Sequence, residues 1–156
     1  MKRAKMPEAN PKEDRVKVQT SRFGEIEVPQ EQVIELPQGM IGFPNFHRYV
    51  MVQHRPGSPF YWLQSLEQPS LAFAVVTPLV FDPKYEITLG GAETKLLKVE
   101  DPQNIQVWVV VTIPHGKPDA ITANLKAPLV INLGNRKGAQ VILDNPKYSV
   151  RQKMPS

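Results

Sequence analysis

The chain has 156 residues, of which 41% are hydrophobic and 22% charged, and it contains no cysteine. This balance predicts one soluble globular domain with a real core. The lack of cysteine excludes a disulfide framework and cysteine-ligated metal sites, and it agrees with a reducing, cytoplasmic location. No apolar run approaches the roughly 20 residues of a membrane span, and no apolar stretch follows the basic N-terminus as in a secretory signal.

The net charge of +4 is unevenly distributed along the chain. Residues 1–22 carry seven basic and three acidic side chains, and residues 147–156 carry three basic side chains and no acidic one. Residues 23–146 carry nine basic and twelve acidic side chains, a net charge of −3. A mildly acidic body favours a basic partner and argues against a body built to neutralise phosphates.

Short strand patterns, separated by many of the sixteen prolines, follow one another along the chain. In the first run, FGEIEVP, the apolar Ile26 and Val28 alternate with Glu25 and Glu27, as in a strand with one solvated face. Residues 107–113 are apolar on both faces, which predicts a strand covered on both sides. The turn GNRKG (134–138) predicts a hairpin between the last two runs. The runs are FGEIEVP, RYVMVQ, LAFAVVTP, IQVWVVVTIP, PLVINL and AQVILD.

One segment, GGAETKLLKV at residues 90–99, has the composition of a helix. We therefore predict an all-β, mainly antiparallel protein, either barrel-like or two packed sheets, with one or two short helices. Residues 1–14 are predicted to be a disordered basic tail, residues 15–152 a single β domain, and residues 153–156 a flexible end.

No constellation of an active site is evident. His47, His54 and His115 form no paired metal-ligand motif, and a surface position is the more ordinary reading for each. None of the serines considered, Ser58, Ser65 and Ser70, lies in a G-x-S-x-G elbow, and GGAETK lacks the spacing of a phosphate-binding loop. We expect no catalytic residue, no bound metal and no cofactor.

Three adjacent aromatic residues, Phe60, Tyr61 and Trp62, stand out in a chain with few aromatics. On a strand Phe60 and Trp62 share one face and Tyr61 takes the other. We predict that Phe60 and Trp62 belong to the core together with Trp108, and that Tyr61 lies at the surface or on a second sheet. The alternative, a platform for stacking bases, needs a basic groove, and few charged residues surround these rings.

The order of the motifs is more specific than any single one. RFGEIEV is followed by IELPQGMIGFPNFHRYV, SPFYWLQSLEQPSLAFAVVTP, VWVVVTIP, ITANLKAPLVIN and RKGAQVILDNPKYSVR. From about residue 17 to residue 152 this series resembles the flagellar assembly factor FliW family. The chain departs from the family pattern in its longer N-terminal tail and in Gln152, where the family often has histidine.

The resemblance implies a compact, barrel-like, non-enzymatic regulator of the bacterial cytoplasm. Members of the family bind CsrA, an RNA-binding translational repressor, and so allow flagellin mRNA to be translated. They also bind flagellin, and the two partners exchange. By this resemblance we expect CsrA and flagellin as partners, no direct contact with nucleic acid or membrane, and a monomer.

Candidate partner contacts are assigned from local pattern. Pro128 at a strand start suggests an exposed edge, which a partner segment could extend by strand addition, with Thr122, Asn124 and Lys126 beside it. Alternatively, Asn124 only satisfies backbone groups in a turn. Further candidates are Tyr61 and Gln64, which share an exposed face if their strand bends, and the acidic residues Glu67, Glu86 and Glu100. Structural roles in holding the last strand are expected for Arg136, Lys137, Tyr148 and Arg151.

Two other functional classes stay open. A small barrel that binds single-stranded nucleic acid would need Tyr61 and Trp62 exposed in a groove near the basic ends. An enzyme would need His47 or His54 close to two carboxylates in a pocket.

Overall fold

The structure, a computed structural model, describes residues 14–155, and its regular secondary structure is mostly β. The strands are β1 Arg15–Thr20, β2 Gly24–Pro29, β3 Ile34–Glu35, β4 Arg48–Gln53, β5 Tyr61–Ser65, β6 Ala72–Val76, β7 Ile105–Thr112, β8 Thr122–Ala123, β9 Leu129–Asn132, β10 Lys137–Gln140 and β11 Gln152–Lys153. The helix α1 spans Gly91–Leu96, and short 3-10 turns lie at Gln30–Gln32, Pro78–Val80, Pro102–Asn104 and Pro118–Ala120. The predicted all-β class is confirmed.

Nine strands form one sheet, whose order is β11-β8-β7-β6-β5-β4-β3-β10-β9. A further antiparallel pairing, Ile105–Trp108 of β7 with Leu129–Asn132 of β9, joins the end of this order back to β7. Seven strands therefore close into a barrel-like ring, and β8 and β11 extend the sheet beyond it. All ladders are antiparallel except β3 with β10.

Strand β7 is covered on both faces from Val107 to Val111, as its apolar composition predicts, but Ile113, also expected to be covered, lies beyond its end and is exposed. Trp108 and Val110 pack into one cluster, which fills the ring. Val107, Val109 and Val111 pack into a second cluster on the outer face. Successive strand residues point to opposite faces. A strand between two apolar clusters therefore carries apolar residues on both faces and does not alternate with polar ones.

The interior cluster lies inside the ring and contains fully buried side chains from five of its strands. Its buried members are Ile34, Leu36, Met40, Tyr49, Leu63, Val75, Leu129 and Ile131. Burying a leucine such as Leu63 stabilises the fold by about 1.5–3 kcal/mol relative to leaving it exposed. The outer cluster is roofed by irregular chain, including Phe81, Tyr85, Leu97 and Tyr148.

The hairpin of β1 and β2 covers part of the outer face of β4. Val18 and Val28 of the hairpin pack on Val50, while Glu25 and Glu27 remain exposed. The predicted alternation of residues 25–28 is therefore confirmed. At the tip of the hairpin, the N–H of Ser21 donates to the carbonyl of Pro69 at 2.9 Å and so ties the hairpin to the loop after β5.

The helix predicted over residues 90–99 forms over a shorter span. At its start, the backbone N–H of Gly90 donates to the Glu93 carboxylate at 2.9 Å. The helix ends because Leu97 is held in the outer cluster and Lys98 takes a left-handed conformation with φ of 51°.

The predicted hairpin around residues 134–138 is confirmed, with β9 and β10 paired from Lys137↔Asn132 to Gln140↔Leu129. The predicted strand AQVILD ends earlier than expected, at Gln140. The chain nevertheless continues beside residues 126–128: the N–H of Val141 donates to the carbonyl of Pro128 and that of Leu143 to the carbonyl of Lys126.

The expected domain limits stay predictions. Lys153 belongs to β11, so strand pairing runs one residue beyond the boundary placed at residue 152. The expected tail over residues 1–14 lies outside the described residues except for Asp14. Among the described helices, none has the length and apolar composition to cross a membrane.

Candidate partner-binding surfaces

The three adjacent aromatic residues divide between the two faces of β5. Tyr61 packs against the interior cluster and meets the ring of Trp108 edge-on, with centroids 5.0 Å apart. Trp62 points to the outer face, where its neighbours across the sheet are Val52 and Ala74. The alternation was predicted correctly, but the faces were assigned the wrong way round.

Trp62 is not a core residue. The Arg22 guanidinium lies 3.7 Å from the centre of its ring, and its indole N–H donates to Nδ1 of His54 at 3.2 Å. The prediction that Trp62 is core is therefore wrong. The reason is that the hairpin of β1 and β2 covers Val50 fully but reaches Trp62 only with its tip.

An open groove of about 350 Å³, the outer groove, lies beside Trp62. Its lining includes Phe60, Trp62, Ile113, Ile121 and Met154. Phe60 is half-buried and also packs against the outer cluster, and Trp108 is half-buried against the interior one. Phe60 and Trp108 thus lie at the margin of the core. Both were expected to belong to the core, but neither is fully buried.

The segment TANLKAP holds a turn and no sheet edge. The Asn124 side-chain oxygen accepts from the N–H groups of Lys126 and Ala127, at 3.1 and 3.0 Å. This geometry agrees with the alternative interpretation, in which Asn124 satisfies backbone groups in a turn. Its role towards a partner stays a prediction.

The prediction that Pro128 marks an exposed sheet edge is wrong. Strand β9, which begins one residue later, has β7 on one side and β10 on the other, and Pro128 is buried. Thr122 lies in β8, between β7 and β11. A proline at a strand start is compatible with an edge but equally with the first position of a central strand, where its missing N–H matters little.

Gln64 is fully buried on the outer face of β5, so it does not share an exposed face with Tyr61. Its amide nitrogen donates to the carbonyls of Ser65, Pro69 and Leu71 at 3.0–3.2 Å. The side chain holds the turn after β5 in place by adding to the backbone bonds there, since the carbonyl of Leu71 also accepts the N–H of Ser65 and that of Pro69 the N–H of Ser21. This is a structural role.

Glu67 is exposed but already engaged by the backbone. One carboxylate oxygen accepts the N–H groups of His47 and Arg48, the latter at 3.1 Å. These bonds, first that from His47, lower the pKa of Glu67 below its ordinary value of 4.5. A carboxylate that caps the start of β4 is less free to meet a partner.

Glu86 and Glu100 are exposed, and within residues 14–155 their carboxylates have no hydrogen-bond or ion-pair partner. The backbone of Glu86 is fixed by Tyr148, whose hydroxyl accepts its N–H and donates to its carbonyl, both at 3.1 Å. The backbone of Glu86 is thus held in place, while its carboxylate is exposed.

The expected structural roles near the end of the chain hold for three residues. Arg136 donates to the carbonyl of Gln32 at 2.9 Å, and Lys137 forms an ion pair with Glu35 at 2.7 Å, which lowers the pKa of that carboxyl. Tyr148 is buried against Tyr85. These contacts fix β10 and the following segment. Arg151 is exposed, and its backbone N–H donates to the hydroxyl oxygen of Ser149.

A second surface, missed in the sequence, lies between helix α1 and residues 139–145. Two openings of about 640 and 360 Å³ share Glu93, Val141 and Ile142 in their lining and so form one continuous depression, called here the acidic trough. Glu86 and Asp144 line its second half, and Ile142 is 65% exposed. The sequence carries no signal for this surface, because Val141, Ile142 and Leu143 are all apolar and the whole run was predicted as a paired strand.

Metal-site geometry is lacking in the part of the chain that the structure describes: no three His, Asp or Glu residues lie together there so as to hold a metal ion. His54 is engaged with Trp62, and His47 with the carbonyl of Leu36.

Comparison with known proteins agrees with the fold. The model of the family described as FliW protein matches residues 17–154. A flagellar assembly factor FliW of Ruminiclostridium cellulolyticum is 43% identical over 135 residues, 86% of this chain and 90% of that protein. One of Thermosipho africanus is 36% identical over 134 residues, 86% of this chain and 92% of that protein.

A solved structure shows the same architecture. The crystal structure of the flagellar assembly factor FliW is similar with a TM-score of 0.82 and 33% sequence identity, and it covers 90% of this chain and 98% of that chain. The match in sequence and the match in structure extend over nearly the whole described part of the molecule. This chain therefore belongs to the FliW family of flagellar assembly factors.

Proposed function

We propose that this chain is a non-enzymatic regulator of flagellum assembly that acts in the cytoplasm. It binds the RNA-binding repressor CsrA and relieves the repression of flagellin translation, and it binds flagellin as a competing partner. The observation that carries this proposal is membership of the FliW family over residues 17–154. The chain acts by occupying its protein partners, without contacting RNA.

The charge of the body supports a basic partner. Residues 23–146 have a net charge of −3, and most of their acidic side chains are exposed. A protein that binds RNA needs a basic surface to neutralise phosphates. Complementary charge accelerates and orients the encounter of two such proteins, while a few buried anchors supply most of the affinity.

The test is a calorimetric titration of the full chain against CsrA and flagellin, first separately and then in competition. We expect binding to both partners and displacement of CsrA by flagellin. Binding to neither would refute the proposal. Tight binding of the chain to flagellin leader RNA in the absence of CsrA, with a steep salt dependence, would refute the mechanism.

A second candidate function, binding of single-stranded nucleic acid, is favoured by one observation. Trp62 lies in the outer groove with Arg22 on its ring and Arg55 in the groove lining. Tyr61, however, packs inward, and Arg22 already covers one face of the indole.

Tryptophan fluorescence separates the two functions. If the chain binds single strands, an oligonucleotide changes the emission of the wild-type protein and has little effect on the Trp62→Phe variant, in which Trp108 remains as an internal control. If the chain acts on CsrA alone, the emission stays constant. This control is available because the chain contains two tryptophans.

A further inference from the structure

The outer edge of residues 140–144 is open. The N–H groups of Val141 and Leu143 point to residues 126–128 and are bonded there. In an extended chain the N–H and carbonyl of the residues between them point the other way. Among the described residues, Ile142 and Asp144 have no hydrogen-bond partner for their backbone N–H groups, so this stretch has the form of an unpaired strand edge.

The side chains on this edge are those of a docking surface and differ from those of a protected edge. Proteins commonly block an exposed edge with lysine, proline or a covering loop. Here Ile142 is 65% exposed, and the acidic trough runs along it. Leu96 and Ala92 of α1 line the opposite side of the trough, so an apolar side chain that enters beside Ile142 meets further apolar surface.

The acidic side chains around this edge favour a positively charged partner segment. Three carboxylates, those of Glu86, Glu93 and Asp144, line the trough against one lysine, Lys95. Lys147 is nearby but lies over the ring of Tyr148, at 5.6 Å. Glu93 also accepts the N–H of Gly90, whereas the carboxylates of Glu86 and Asp144 have no partner among the described residues.

We propose that the acidic trough is the surface that receives the basic partner, and that it binds an extended, positively charged segment carrying an aliphatic side chain. The segment pairs with the backbone of Ile142 and Asp144 as an added strand. Its aliphatic residue packs between Ile142 and Leu96, and its basic residues meet Glu86 and Asp144. This inference rests on the proposed function, because it assigns a surface to the RNA-binding partner.

Charge reversal tests the electrostatic part. The probe is purified CsrA, titrated by calorimetry into the full chain at two salt concentrations. The Glu86→Lys/Asp144→Lys double variant is expected to weaken binding at least tenfold, with the larger effect at low salt. The matched control is a Glu27→Lys/Glu31→Lys variant, which makes the same change of charge at exposed positions away from the trough and is expected to change affinity less than threefold.

A proline substitution tests the backbone part. Ile142→Pro removes an N–H that no group in the described chain accepts, and a proline is tolerated where the N–H faces solvent. Ile142→Ala removes the exposed apolar side chain but keeps the N–H. We expect the proline variant to keep its melting temperature within a few degrees and to bind CsrA at least tenfold more weakly than the alanine variant does. If it fails to fold, the charge-reversal pair still decides.

The outcomes separate the two proposals. If the wild-type chain binds neither CsrA nor flagellin, the proposed function fails. If the wild-type chain binds CsrA and the trough variant binds as well as its control, the function stands and the trough proposal is overturned. If the trough variant loses flagellin and retains CsrA, the trough proposal is overturned as well, since the surface then belongs to the other partner.

Discussion

Several side chains with polar groups do structural work that their exposure or chemistry alone would not indicate. Gln64 is fully buried and holds three carbonyls, and Glu67 is exposed yet caps two N–H groups at the start of β4. Asn132 is buried and joins β9 to the end of α1 through the carbonyl of Leu97, at 2.9 Å. At the scale of single residues, such groups add to or replace the backbone bonds of turns and helix ends.

The hydroxyl of Tyr49 is one buried polar atom with no such role, because it has no hydrogen-bond partner among the described residues. Burial, with a smaller contribution from the charge of Glu67, raises the pKa of Tyr49 to about 12. Tyr49→Phe should therefore leave the free energy of unfolding unchanged or raise it by up to about 1 kcal/mol, since no bond is lost. Urea denaturation measures this.

The matched control for that variant is Tyr85→Phe. The hydroxyl of Tyr85 donates to the carbonyl of Leu125 at 2.7 Å, so its removal should lower the free energy of unfolding by about 1–2 kcal/mol. A loss at Tyr49 as large as that at Tyr85 would show that the hydroxyl of Tyr49 has a partner after all, and would contradict the prediction.

Glu67 predicts a pH dependence of stability. Because the folded state lowers its pKa below 4.5, the ionised carboxylate stabilises the fold above that pH, and the contribution is lost as the pH falls through the lower, folded pKa. Glu67→Gln should lower stability at neutral pH and flatten the stability profile below about pH 4.5. Thermal melts from pH 7 to pH 3 check this; parallel profiles of variant and wild type would contradict it.

Elements of this fold depend on turns that their sequences specify closely. The loop from β3 to β4 contains Gly39 with φ of 67° and Gly42 with φ of 90°. Both conformations are left-handed and unfavourable for other residues. A β-carbon on Gly39 would also meet the carbonyl oxygen of Phe43 and lie 2.8 Å from Cα of Pro44, whereas one on Gly42 would meet no atom within 4 Å.

These two glycines give a matched pair of substitutions. Gly42→Ala should cost about 1 kcal/mol of stability from backbone strain alone. Gly39→Ala should cost clearly more, about 2–4 kcal/mol, because strain and overlap with backbone atoms add. The difference in melting temperature between the two variants is the measurement. Equal losses would mean that the loop shifts to relieve the overlap.

At the scale of the whole molecule, closure of the ring creates one enclosed core and leaves few strand edges. Each of the seven ring strands has a neighbour on both sides, so any surface for strand addition must lie outside the ring. The open stretch after β10 meets this condition, and so does β11. The former lies beside a depression whose charged lining residues, Glu86, Glu93 and Asp144, are all acidic.

The acidic body predicts how association depends on salt. If CsrA is the partner, its association rate with the full chain should fall at least fivefold between about 50 and 500 mM salt, because screening weakens the attraction between opposite charges. The dissociation rate should change much less. Stopped-flow measurements separate the two rates. An association rate that is independent of salt would argue against charge as the basis of partner choice.

The sequence by itself was enough to predict the fold class, the family and the positions of most elements. The β-branched and aromatic run at residues 48–53 predicted the strand that became β4, and the turn at residues 134–138 predicted the β9–β10 hairpin. These features are local, since they depend on the preferences of neighbouring residues. The order of motifs identified the family because it reflects the whole chain at once.

The tertiary structure alone decided which faces and edges are available to a partner. Alternation separated Tyr61 from Trp62, but only closure of the ring placed Tyr61 inside and Trp62 outside, where the tip of the β1–β2 hairpin meets it. Pro128 could precede an edge strand or a central one, and the pairing of β7 with β9 placed it in the ring. Exposure and edges depend on contacts between residues distant in sequence, and local pattern carries no information about those contacts.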